Sequence, residues 1–289
     1  MSEATRESVG TISATRPDFA LWIHRLLATA LHAEPETAYD HLATLRPLDD
    51  FVEKQGRSTG RFQVFVAGEA LTFYLKRYPG VSWWRRRWAA LDTFPGTREF
   101  SNLRKVAALG IAVPETLAVG ANRRHPCVSL FATRELRGYL PLHQFIPAAL
   151  RNPNRSPSLL RTLTIRLAQI ARSLHAADLY HRDFYLCHFF ARETTDGALE
   201  VILIDLARLK HSHWSRWRVK DLAQLLFSSD VHGITRTERL RFFLRYLQIG
   251  RLDAPSRKLL ARVTAKAERY RRHNEKHQRV PLPATSAAR

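Results

Sequence analysis

The chain has 289 residues, 45% of them hydrophobic, which is enough for one large globular domain or two modest halves and too apolar for a disordered polymer. Its 46 lysines and arginines against 26 acidic residues leave a net charge of +20, a field that favours a polyanionic partner such as nucleic acid, anionic lipid or a phosphorylated glycan. Two cysteines without CxxC spacing exclude a disulfide framework and a thiolate zinc site, and the longest aliphatic run, VILID at Val201–Asp205, is far too short to span a bilayer.

In chain order, residues 1–16 are Ser/Thr-rich and read as a disordered tip. A helical extension over 17–50 follows, from the spacing of Leu21, Ile23, Leu26, Leu27 and Leu31. RFQVFV and ALTFYLKRY alternate as strands on either side of Ala67-Gly68-Glu69, predicting a hairpin with Leu71, Phe73 and Leu75 on one face and Lys76 on the other. A helix is predicted from about Thr97 to Gly110, with Glu99 in its first turn, and CVSLFATREL reads as a further strand. From about residue 136 the chain turns mainly helical. Leu160, Leu163, Leu167, Ile170 and Leu174 make an amphipathic stripe that delivers YHRDFYLCHFF. Asp196-Gly197 marks a short hairpin ending at Asp205, and Thr235 with Glu238 reads as a capping box for a helix closed by Gly250. The division expected is 51–135 as a β-rich half, 136–265 as a helical half and 266–289 as a basic tail.

That order suits phosphoryl transfer. There the protein mainly positions groups and neutralises charge, using a strand lysine for the phosphates, a helix glutamate to hold it, a base near the acceptor hydroxyl and a carboxylate for the metal. Lys76, Glu99, Asp183 and Asp205 occur in that order. Singly each has a plain alternative: an edge-strand charge for Lys76, a dipole-favoured first-turn acid for Glu99, a strand-end cap for Asp205. The combination is what argues for a kinase.

The segments FYLKRY, TREFSNL, HAADLYHRDFYLCHFF, VILIDLARL and RVKDLAQLLFSS together resemble the lipopolysaccharide core kinases, which phosphorylate heptose or Kdo sugars of the inner core. The resemblance covers roughly Phe51 to Leu247. It implies an α+β, bilobal protein-kinase-like fold with a β-rich N-lobe and a mainly helical C-lobe, using ATP and Mg²⁺. It makes Asp183 the catalytic base, Lys76 the nucleotide-phosphate ligand with Glu99 as its partner, and Asp205 the metal ligand. His181, Arg182 and Asp221 become supports of the site, with Asp221 bracing the loop through backbone N–H groups. Gly56, Gly60 and Glu135 join the nucleotide-binding candidates, although EKQGRSTGRF lacks a full G-x-G-x-x-G and an ordinary turn also fits its glycines.

Two departures stand out. His188 occupies the place where protein kinases put an asparagine. Imidazole is a poor Mg²⁺ ligand, so His188 is read as a ligand for a softer ion such as Mn²⁺, as an orienting group for phosphate or Asp183, or as a packed histidine. Asp205-Leu206-Ala207 replaces D-F-G, without a glycine hinge, and implies a constitutively formed site. Cys187 has no partner base and reads as a packed thiol.

PGVSWWRRRWAALDTFPG interleaves Trp83, Trp84 and Trp88 with Arg85, Arg86 and Arg87, which suits contact with lipid headgroups or substrate phosphates as well as it suits tryptophans packed on the lobe. HSHWSRWRVK, after Asp205, is a candidate wall for an acidic sugar. The expected partners are an inner-core glycolipid and the anionic inner face of the cytoplasmic membrane, with a cytoplasmic, peripheral location and no nucleic acid. The alternatives are a non-catalytic basic kinase-like module holding nucleic acid or anionic lipid, and a kinase for protein or another small molecule.

Overall fold

The computed structural model describes residues 11–31, 34–54, 57–80, 82–151 and 156–277. The chain divides into two units. The first runs to Lys105 and resumes over Pro114–Leu136; the second takes Val106–Val113 and everything from Arg137.

The first unit is built from β1 (Thr11–Arg16), β2 (Phe19–His24), α1 (Arg25–Leu31), α2 (Pro35–Thr44), β3 (Asp49–Lys54), β4 (Arg57–Val66), β5 (Glu69–Tyr78), α3 (Trp83–Trp88), most of α4 (Pro95–Ala107), β6 (Thr116–Asn122) and β7 (Ser129–Arg134). Its strands form one antiparallel sheet in the order β1-β2-β6-β7-β5-β4-β3. The expected β4–β5 hairpin is present. Ala67 and Gly68 both take positive φ, 49° and 85°, the two-residue turn whose twist matches the flanking strands.

The expected helix from Asp18 is a strand instead, and residues 11–16 of the expected disordered tip are its antiparallel partner β1. Residues 1–10 lie outside the described residues. Phe19, Leu21 and Ile23 repeat every second position and are all buried, which is a strand period; Leu27 and Ala28 then take up helical packing as α1. A single window over Leu21–Leu31 blends the two periods. The extension over 17–50 therefore belongs to the core of this unit, where Leu27, Tyr39 and Leu42 pack with Phe62, Phe73 and Leu75. The Tyr39 hydroxyl donates to the Cys127 carbonyl at 2.6 Å, so even its polar atom is used.

The second unit contains β8 (Leu140–Pro141), α5 (Leu142–Ala149), α6 (Ser156–Ala176), β9 (Leu179–Tyr180), β10 (Phe189–Glu193), β11 (Leu199–Leu203), β12 (Lys210–His211), α7 (Arg216–Ser228), α8 (Arg236–Leu247) and α9 (Ala254–Lys276). Leu163, Leu167, Ile170 and Leu174 of α6 are buried as their stripe predicts. β10 and β11 form the hairpin around Asp196-Gly197, and β9 pairs with β12. Ala112 groups with this unit because its carbonyl accepts from the Leu203 N–H at 3.0 Å. Thr235 caps α8 by accepting from the Glu238 N–H at 3.2 Å, but the Glu238 carboxylate goes to Arg241 and the reciprocal box forms at Asp253 and Ser256 of α9. Gln248, in the left-handed region at φ 57°, ends α8 two residues before the expected Gly250. The basic stretch from Lys266 continues α9, with Val263 and Ala267 buried, as far as Lys276. Residues 278–289 lie outside the described residues.

Candidate active site

In the first unit Lys76 sits on β5 opposite Phe131 of β7, and its Nζ donates to Glu99 Oε1 at 2.6 Å. Glu99 is 2% exposed, so its charge depends on partners. The second oxygen accepts from the Tyr78 hydroxyl at 3.0 Å. Tyr78, two residues after Lys76 on the same strand face, was not singled out by the sequence; burial and the Glu99 carboxylate hold its phenol protonated, well above the usual range.

Glu99 reaches this position because α4 starts tight against β7. A Cβ on Gly96 would lie 2.5 Å from the Leu130 carbonyl oxygen, and the Gly96 N–H donates to Ser129 Oγ at 3.0 Å. Only glycine permits that approach. Gly60 lies within β4 opposite Leu75, where a Cβ would meet Pro47, Phe51 and Phe62 at 3.3 Å each, so apolar packing accounts for this glycine. Gly56 lies outside the described residues. Glu135 accepts from Arg61 at 3.3 Å, and its N–H donates to the Thr72 carbonyl.

In the second unit the loop from His181 is held by one face of α7. Asp221 is fully buried; its Oδ2 accepts from the His181 N–H at 2.7 Å and its Oδ1 from the Arg182 N–H at 2.8 Å. Gln224 Oε1 accepts from the Phe184 N–H at 3.0 Å, its amide donates to the Arg182 carbonyl and the Tyr185 hydroxyl, and Ser228 Oγ accepts from the Leu186 N–H at 2.9 Å. Asp221, Gln224 and Ser228 are spaced three and four apart, so one helix face holds the backbone N–H groups of His181, Arg182, Phe184 and Leu186. Gln224 and Ser228 were missed by the sequence reading; their signal was polar residues at i+3 and i+7 from Asp221 inside the apolar KDLAQLLFSS. The clamp holds Arg182 at φ 69°, a left-handed conformation that is costly for a residue with a Cβ.

Asp183 follows that turn, and its Oδ1 accepts from Arg208 at 2.9 Å. Arg208 was likewise not foreseen. His181 is wholly buried, which pushes its imidazole toward the neutral form. Its Nε2 lies 3.0 Å from the Ile204 carbonyl, which can only accept, so Nε2 carries the proton and Nδ1 accepts from the Asp183 N–H at 3.3 Å. By the same logic His188 Nδ1 donates to the Asp183 carbonyl at 2.6 Å, leaving Nε2 at 3.9 Å from Asp205 Oδ2. Asp205 itself is in the left-handed region at φ 57°. An imidazole nitrogen and a carboxylate oxygen facing each other beside the Asp183 turn form a donor pair suited to a divalent cation.

Burial raises the Cys187 thiol to about 11. At pH 8 only about a thousandth is then thiolate, so native protein should resist iodoacetamide over minutes and label fully once unfolded. Quantitative labelling of the folded protein at pH 8, read by intact mass, would contradict this.

Trp83, Trp84 and Trp88 of α3 are 63%, 60% and 70% exposed, so the packed reading of the tryptophan insertion does not hold. Trp83 and Trp84 stack at 3.8 Å and Arg87 lies 4.9 Å from the Trp88 ring centroid. Arg86 is turned inward onto the Arg123 and His125 carbonyls. The Arg85 side chain lies outside the described residues. Among the described residues no helix is long and apolar enough to cross a membrane.

The lipopolysaccharide kinase (Kdo/WaaP) family matches residues 45–246. Lipopolysaccharide core heptose(I) kinase WaaP of Pseudomonas aeruginosa is 29% identical over 238 residues, covering 78% of this chain and 87% of that protein. WaaP of Escherichia coli is 31% identical over 183 residues, covering 60% of this chain and 69% of that protein. The solved structure of WaaP in complex with acyl carrier protein is similar at a TM-score of 0.63 and 25% identity, over 89% of this chain and 98% of that one. With this fold and this extent of match, the chain belongs to the lipopolysaccharide kinase (Kdo/WaaP) family and is a kinase of lipopolysaccharide core sugars.

Proposed function

We propose that the chain transfers the γ-phosphoryl group of ATP to a heptose hydroxyl of the lipopolysaccharide inner core, with Asp183 as the base. The observation that carries this reading is the Asp183 turn, pinned by Asp221 with Asp205 and His188 beside it. A base must be fixed relative to its proton before its basicity matters, and four backbone N–H groups of this turn donate to side chains of α7. Arg208, donating to Oδ1, keeps the carboxylate oriented. Lys76, aligned by Glu99, holds nucleotide phosphate.

Asp205 supplies the oxygen ligand that Mg²⁺ prefers, and His188, held as the Nδ1–H tautomer, offers a nitrogen that suits Mn²⁺ better. A divalent ion held there would neutralise charge on the phosphate oxygens. The deciding experiment is transfer from labelled ATP to dephosphorylated inner core, with the product mapped by mass spectrometry. Label on heptose is expected; label only on Kdo, or no transfer, overturns the reading.

The exposed tryptophans of α3, with Arg87, support peripheral contact with the anionic inner face of the cytoplasmic membrane. Replacing Trp83, Trp84 and Trp88 together by serine should lower partition onto anionic vesicles at least tenfold, measured by sedimentation, without loss of fold. Unchanged partition would remove α3 from membrane contact. The similar WaaP structure is a complex with acyl carrier protein. The +20 charge and an apolar cavity of about 410 Å³, lined by Leu163, Leu167, Leu222, Phe243 and Val263, support a partner of that class here. Co-purification of the two chains tests it.

A further inference from the structure

In the second unit four cationic side chains gather around one indole. The Arg182 and Arg216 guanidinium carbons are each 4.7 Å from the Trp217 ring centroid, and Lys210 and Lys220 Nζ are 5.7 and 5.8 Å from it. Each contact is favourable alone, but four like charges round one ring repel one another. Among the described residues no carboxylate forms an ion pair with any of the four. The two acids that act on Lys220 have partners of their own, Asp183 in Arg208 and Asp221 in the His181 and Arg182 N–H groups. Burial lowers the Lys220 ammonium first and Arg208 next; Asp183 and Asp221 act in the opposite sense, and Arg182 lowers it again.

The cluster is tied to the catalytic turn. Lys220 Nζ donates to the Arg182 carbonyl at 2.6 Å, and Arg182 is the residue before Asp183. Arg216 opens α7, whose 13 residues add the positive end of a helix dipole. Beside it Trp214 is 61% exposed with Arg216 4.2 Å from its ring centroid, leaving an open indole of the kind on which a sugar ring stacks. On the reading above, the nucleotide phosphates belong to Lys76 and Asp205, so a second anion near Asp183 comes from the acceptor.

We infer that Arg182, Lys210, Arg216 and Lys220 around Trp217 bind an acidic substituent, a carboxylate or phosphate, of the acceptor glycan itself. The site selects acceptors that already carry negative charge close to the hydroxyl to be phosphorylated. Neutral glycans bind without offsetting the mutual repulsion of the four cations. This rests on the kinase reading for the direction from which the acceptor arrives, and on the cluster itself for its charge.

The test compares the native protein with Lys210→Gln/Arg216→Gln on three acceptors: inner core bearing a single phosphate, the same material with its carboxyls methyl-esterified, and the phosphate-free form. For the native protein, esterification or phosphate removal should raise the acceptor KM about tenfold, and whichever does so identifies the group bound. The double variant should show the raised KM on every acceptor and lose the discrimination, with the KM for ATP unmoved. Equal KM values for all three acceptors in the native protein, or a variant that still discriminates, would overturn the site.

If the native protein transfers phosphate to none of them, the kinase reading has failed. The cluster is then judged by binding alone, titrating the three saccharides against indole fluorescence. Preferential binding of an acidic form, lost in the double variant, upholds the site; equal binding of all three overturns it.

Discussion

Asp183→Asn is expected to lower phosphate transfer about a thousandfold while moving the melting temperature by no more than about 2 °C. The substitution keeps the shape and the Arg208 contact and removes the proton acceptor, and general-base catalysis contributes on the order of 10²–10⁴ in rate. Little stability is at stake, because Arg208 is half exposed and such pairs contribute about 1 kcal/mol or less. The KM for ATP should stay within about twofold, since Lys76 and Glu99 hold the nucleotide on this reading. Single-turnover transfer with saturating ATP separates the chemistry from binding. A variant retaining a tenth or more of native turnover would mean that the acceptor proton leaves by another route and that Asp183 only positions.

Asp221→Ala should be the most destabilising single change in the second unit, by about 3 kcal/mol, with activity reduced a hundredfold or more. The carboxylate is fully buried and satisfies two backbone N–H groups at 2.7 and 2.8 Å. Each orphaned buried donor costs roughly 1–3 kcal/mol, less what is recovered by no longer burying a charge. The melting temperature of the unit should fall by about 6–12 °C at roughly 2–4 °C per kcal/mol. The activity loss follows from Arg182, whose left-handed backbone relaxes without its clamp and carries Asp183 away. Asp221→Asn keeps one acceptor oxygen and should fall between the two. Calorimetry beside the transfer assay checks both effects; an alanine variant as stable and active as the native protein would dispose of the clamp.

These two residues mark the limit of what could be read from the chain. Asp183 announces itself through HRD at the end of a long amphipathic helix, and Asp221 through its resemblance to a bracing helix acid. Gln224 and Ser228, which complete the same clamp, look like ordinary polar residues in a helix, because their partners lie about 40 residues away in sequence. Arg208 is one arginine among many, and only the folded loop puts it 2.9 Å from Asp183. The β2 strand was misread for a related reason: its period of two lasts six residues before a helical period takes over. Neighbouring strands from β1 and β6, not local preference, decide its state.

The order of the chemistry is legible in the residues alone: a strand lysine, a helix glutamate, the HRD turn, a carboxylate after an aliphatic strand, and an excess of positive charge. Periodicity and motif spacing are local properties and survive without coordinates. Only the folded chain fixes which oxygen of Glu99 is left for Tyr78, which ring nitrogens of His181 and His188 donate to carbonyls, and that four cations share one indole with no ion pair to a carboxylate among the described residues. Those are properties of contacts between residues far apart in the chain, and a hydrogen bond or a like-charge crowd exists only once the backbone has closed the distance.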